Sequence, residues 1–175
     1  GGSGCVEQQL GPVPVPASGG PAGCWMQVLQ TAAAQRGCIS EVQLRLASGF
    51  DASATVYELR AYTLNNGQPG VSNAAMTMTG KRRLYVNADL AGSVQTVSLP
   101  QCLPVNAGEY VALATQGGRL GVTVAPDSAS SRRYWNIFES TAGAVGSSQS
   151  LSSQFVGDLG WSTVLQSSGC STGAT

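Results

Sequence analysis

The sequence predicts an all-β chain, a two-sheet antiparallel β-sandwich forming a single domain. Three observations carry this. Apolar residues recur with a period of two along much of residues 24–166, as half-buried strands require. About eight to ten such runs follow one another at intervals of roughly 8–15 residues with turn-forming residues between them, the spacing of a sandwich. The composition agrees: 23 glycines and eight prolines punctuate a chain in which only 10% of residues are charged.

Residues 1–23 are dense in Gly, Pro and Ser, with Pro12, Pro14 and Pro16 at alternate positions, and read as an extended leader or linker. The stretch from Trp25 to Gly37 has two readings. Trp25, Leu29, Ala32 and Ala33 followed by Arg36 and Gly37 suit a short amphipathic helix with a glycine stop; alternatively a strand around Met26–Thr31 turns into the next. The strand reading is preferred, because a hairpin would bring Cys24 up to the strand of Cys38.

The stretch from Cys38 places Ile39, Val42, Leu44 and Leu46 among polar residues, with Gln43 and Arg45 alternating out from Val42 onward, and reads as a half-buried strand. Ala54–Thr63 repeats it, with Tyr57, Leu59 and Ala61 opposed by Glu58 and Arg60, and Asn65-Asn66-Gly67-Gln68-Pro69-Gly70 supplies a turn. Arg82–Val86 and Ser93–Leu99 are further strands. Glu109–Thr115 and Arg119–Val124 flank Gly117-Gly118, which predicts a tight hairpin. Arg133–Phe138, Leu151–Val156 and Trp161–Leu165 complete the set, and residues 167–175 form a Ser/Gly-rich tail after the 24–166 sandwich.

The run Leu29-Gln-Thr-Ala-Ala-Ala-Gln-Arg-Gly-Cys-Ile-Ser-Glu-Val-Gln-Leu-Arg-Leu resembles the opening hairpin of secreted jelly-roll modules of bacterial surface proteins and carbohydrate-active enzymes. Leu103-Pro-Val-Asn-Ala-Gly-Glu-Tyr-Val-Ala-Leu resembles a later strand of theirs. The likeness spans about residues 29–125, and the aromatic usual before the first turn is replaced by Leu29 and Thr31. It implies a jelly-roll-like sandwich that binds, adheres or assembles, and it transfers no catalytic residue.

Five cysteines lie far apart, with no C-x-x-C pair and no histidine, so metal binding is not expected. They are either buried thiols of a cytosolic chain or disulfides of an oxidising compartment, and the second is favoured. Cys5 and Cys170 sit near ends that a compact domain brings together, and Cys24 and Cys38 are close enough to bridge adjacent strands. Cys102 is then left as a free thiol or a link to another subunit.

Nine Lys+Arg balance nine Asp+Glu, against the basic footprint of nucleic-acid binding, and no run approaches the ~18 apolar residues of a membrane span. Without histidine, acid–base chemistry would need carboxylates in pairs. Glu41 and Glu58 take outward positions and read as a solvated face beside Arg45 and Arg60; Glu109 reads as shaping a strand entrance. Calcium is the most plausible cofactor ion, with Asn87-Ala-Asp89 and Pro126-Asp127 as candidate loops, though turn formation is the favoured role. Lys81-Arg82-Arg83 reads as protection for an exposed strand edge.

The residues singled out for ligand or partner binding are Arg133, Tyr134, Trp135 and Asn136. Alternation puts the two rings on opposite faces, so one should point outward beside arginine and meet a sugar, a peptide or another subunit. The expected function is a non-catalytic extracellular structural or adhesive module at a cell or virion surface, contacting other protein subunits, its own copies included. The alternatives are a carbohydrate-binding module using Trp135 or Tyr134, and a virion surface jelly roll.

Overall fold

The computed structural model describes residues 4–12, 15, 19–66, 74–126, 133–151 and 153–170. Within them the chain forms β1 (Glu7–Leu10), β2 (Gly20–Pro21), β3 (Met26–Leu29), β4 (Gly37–Arg45), β5 (Val56–Asn66), β6 (Ala74–Leu84), β7 (Val94–Val105), β8 (Tyr110–Gln116), β9 (Thr123–Pro126), β10 (Arg133–Ile137), β11 (Ser148–Leu151), β12 (Ser153–Leu159) and β13 (Trp161–Ser167). A 3₁₀ turn at Ala88–Leu90 precedes β7.

The strands assemble into two antiparallel sheets. One has four strands in the order β1-β13-β4-β7, and the other has nine in the order β11-β6-β5-β8-β3-β10-β12-β9-β2. Ile39, Val42, Leu44, Leu103, Val105, Trp161 and Leu165 of the narrower sheet bury against Leu29, Tyr57, Leu59, Ala61, Val111, Leu113 and Tyr134 of the wider one. Removing this apolar surface from water is the main source of stability. A polar tie crosses the core: the Trp161 Nε1–H donates to Oε1 of fully buried Gln27 at 3.0 Å. The chain passes from β12 to β13 between the sheets at Gly160, where a Cβ would collide with the Thr123 backbone.

The wider sheet is buried on its other face as well. Met26, Val28, Tyr62, Met76, Met78, Tyr110, Trp135, Ile137 and Leu151 form a second apolar cluster there. Its cover follows from the strand order. The chain leaves β10, crosses β3, β8 and β5, and pairs β11 with the far-edge strand β6. Along this strap the Gly146 N–H donates to the Met78 carbonyl and the Met78 N–H to the Ser147 carbonyl. Thr141 Oγ1 accepts from Arg60 Nη1 at 2.8 Å, and Lys81 Nζ reaches the Gly143 carbonyl.

Several expectations are corrected. β3 is a strand, as preferred, but it lies in the wider sheet while β4 lies in the narrower one, so no hairpin joins them. Gly117-Gly118 does not close a hairpin either: β8 pairs with β5 and β3, whereas β9 pairs with β12 and β2. β6 extends well ahead of Arg82, and the turn residues 67–70 lie outside the described residues. Parts of the expected leader and tail are built into the sandwich, since β1 pairs with β13 and Cys5 is bonded to Cys170.

The second disulfide is Cys38–Cys102, and Cys24 is a buried free thiol. The expected Cys24–Cys38 bridge and the unpaired Cys102 are thereby overturned. Cys38 on β4 and Cys102 on the adjacent β7 stand 5.6 Å apart at Cα, within bridging range. Cys24, just ahead of β3, packs in the inner core. Two disulfides are what an oxidising, extracellular compartment permits, and among the described residues no helix is long and apolar enough to cross a membrane.

Candidate functional site

β10 carries the four residues singled out from the sequence, between β12 and β3. Tyr134 and Trp135 do fall on opposite faces, but neither ring is a solvent platform. Tyr134 packs in the inner core, stacked on Phe155 with centroids 6.0 Å apart. Trp135, with 0% exposure, sits in the outer cluster, edge-on to Tyr110 at 5.9 Å. Asn136 is buried, and Arg133 alone of the four is exposed. The expectation of one outward ring fails because the strap covers the face that alternation assigned to solvent.

The same cover changes Glu58 and Arg60. They occupy the face opposite Tyr57 and Leu59, as alternation requires, but they are buried there rather than solvated. Arg60 Nη2 and Nε meet Glu58 Oε1 at 2.7 and 2.9 Å, and Lys81 Nζ stands 3.5 Å from Oε2. Arg60 Nη1 also donates to the Tyr62 hydroxyl at 3.2 Å. Charges removed from water are held by pairing in this way.

Glu109 and Asp51 serve local structure. Glu109 Oε1 accepts the Asn106 N–H at 2.8 Å, and Oε2 accepts from Thr63 Oγ1 at 3.2 Å, fixing the entrance to β8. The Ser53 hydroxyl and backbone N–H both donate to Asp51, and these bonds hold its carboxyl below the ordinary carboxylate value. At the first calcium candidate, Asn87 Oδ1 accepts the Asp89 N–H and caps the 3₁₀ turn; Asp127 lies outside the described residues. Among the described residues no three His, Cys, Asp or Glu side chains gather where they could hold a metal ion. Burial pushes the Cys24 thiol up to about 12, so it is an inert neutral group at ordinary pH.

The exposed rings lie elsewhere. Phe155, on the same face as Tyr134 one strand farther out, is 37% exposed, and Phe138, immediately past β10, is 53% exposed. Their rings meet edge to face at 5.8 Å. Tyr85, beyond the end of β6, is 64% exposed and carries the Arg83 guanidinium 4.8 Å from its ring centroid. The sequence reading missed the two phenylalanines because it weighed only Trp and Tyr. The available signal was their position beside the Tyr134-Trp135 strand, one of them opening a loop. Lys81-Arg82-Arg83 lies on β6 beyond the stretch Ala74–Thr77 that β11 pairs with, and among the described residues no strand is hydrogen-bonded to β6 on that side there.

The chain matches no protein-family model, no curated protein and no solved structure.

Proposed function

We propose that this chain is a non-catalytic extracellular module of jelly-roll type, structural or adhesive, that contacts other protein subunits, its own copies included. The strand order supports the topology: taken in chain order, β1, β3, β4, β5, β6, β7, β8 and β13 cross between the two sheets at every step except from β5 to β6, which pair with each other, as in two Greek keys folded face to face. The paired cysteines support the compartment.

The observation that carries the reading is the Phe138–Phe155 pair. Two rings in mutual contact, half open to water and backed by a buried tyrosine, form an anchor of the kind that concentrates binding energy at protein interfaces. Alongside it, the exposed faces carry few charges to disfavour close packing. The carbohydrate-binding alternative loses its platform, since Trp135 and Tyr134 are both buried.

Sedimentation velocity across a concentration series, with wild type beside Phe138→Ser/Phe155→Ser, tests this. Wild type is expected to self-associate or to retain a cell-surface partner in a bead adhesion assay, and the variant to lose that behaviour without losing its fold. A wild type that stays monomeric and adheres to nothing contradicts the reading.

A further inference from the structure

Two hollows meet at Pro100. The larger, about 530 Å³, lies on the outer side of the narrower sheet beside both disulfides, with Arg36, Ser40 and Cys102 in its wall. The smaller, about 210 Å³, is lined by Arg82, Arg83, Tyr85, Pro100 and Gln101. Pro100 borders both, so they lie side by side as a grooved stretch of surface from Arg36 to Tyr85.

Its charge is unusual for this chain. The protein is neutral overall, yet the residues lining the groove include three arginines and no Asp or Glu. Arg60 and Lys81 share the Glu58 carboxylate. Among the described residues no carboxylate lies within ion-pair distance of Arg36, Arg82 or Arg83. Arg82 gives one N–H to the Lys81 carbonyl at 2.8 Å, and Arg83 is held against the Tyr85 ring. Glu7 stands at the far margin, accepting from Gln166 Nε2 at 2.8 Å. A concave site with uncompensated guanidinium groups attracts anions and offers forked donors to carboxylate or sulfate oxygens.

The groove's other groups narrow the ligand. Tyr85 presents an exposed aromatic surface of the kind on which a sugar ring stacks. Gln101 and Ser40, both exposed, supply amide and hydroxyl groups suited to saccharide hydroxyls. The floor is stiff, with Pro100 and Pro104 in β7 and a disulfide clamping β7 to β4, so little ordering cost is added on binding. We propose that this groove binds a linear anionic saccharide, its charged groups on Arg82 and Arg83 and one ring against Tyr85. The site lies away from the Phe138–Phe155 pair on other strands, so it stands or falls independently of the assembly reading.

Isothermal titration calorimetry with four probes tests it: a uronic-acid oligosaccharide, a sulfated oligosaccharide, an uncharged glucan of similar length, and poly-glutamate. Wild type is expected to bind at least one anionic oligosaccharide, more weakly at high salt, and the tighter of the two identifies the charged group. The glucan and poly-glutamate should bind at least about tenfold more weakly, and Tyr85→Ala and Arg82→Ala/Arg83→Ala should each lower affinity by about tenfold or more with the melting temperature retained. Absence of binding to both anionic oligosaccharides overturns the proposal. So does equal binding of poly-glutamate with no effect of Tyr85→Ala, which would mark a general anion surface.

Discussion

The outer faces of the two sheets have opposite fates. On the narrower sheet, Glu41, Gln43, Thr96 and Ser98 stand in water opposite an apolar inner row, and alternation describes them correctly. On the wider sheet the corresponding face holds Met26, Trp135, Tyr110 and the Glu58–Arg60 pair beneath the 138–147 strap. One face is a surface and the other is a second core. A strand covered on both sides loses the in-out pattern, and its polar residues become buried pairs rather than a solvated rim.

The largest expected contrast is between Trp135→Ala and Gln43→Ala. Emptying the Trp135 site should cost about 3–5 kcal/mol, whereas Gln43→Ala should stay within about 0.5 kcal/mol; urea unfolding of the two variants measures both. Similar costs would show that the strap is not a true cover. Next, the narrower sheet, lacking a cover, draws on its cross-link. Cys38→Ser/Cys102→Ser opens a bridge spanning 64 residues and should cost roughly 2–5 kcal/mol, read as a lower thermal midpoint. Glu58→Gln leaves buried Arg60 without its counter-charge, and about 2–4 kcal/mol should be lost, discounted because Lys81 is partly exposed. Glu58→Leu/Arg60→Met should recover much of it.

A smaller effect concerns pH. The Cys24 thiol has an ordinary value of 9.0, raised by burial to about 12 in the folded chain. Its contribution is therefore fully present below pH 9 and lost progressively as pH rises from there toward 12. Stability measured across that window should fall more steeply for wild type than for Cys24→Ala; parallel curves would mean the thiol is not buried.

How much of this was legible in the sequence follows the same division. β4 shows its alternation openly, and the proximity of Cys5 and Cys170 follows from the compactness of a domain. The Cys38–Cys102 bridge was hidden because Pro100 and Pro104 argue against a strand through Cys102. β7 tolerates them as the edge strand of its sheet, and thus runs on to place Cys102 beside Cys38. The alternation of Ala74, Met76 and Met78 was present but abuts residues 67–73, whose glycine and proline suggest only a turn. Nothing local could reveal the strap, because its role depends on β10 and β6 being far apart in one sheet. The Phe138–Phe155 contact and the Pro100 groove likewise arise from tertiary neighbours distant in sequence.

The most direct test of the second core is acrylamide quenching of tryptophan fluorescence in Trp25→Phe, which leaves Trp135 and Trp161, each 0% exposed. The account predicts blue-shifted emission and uniformly weak quenching, unchanged by further substitution of Trp161. A strongly quenched, red-shifted component that disappears with Trp135→Phe would place that ring in solvent and contradict it.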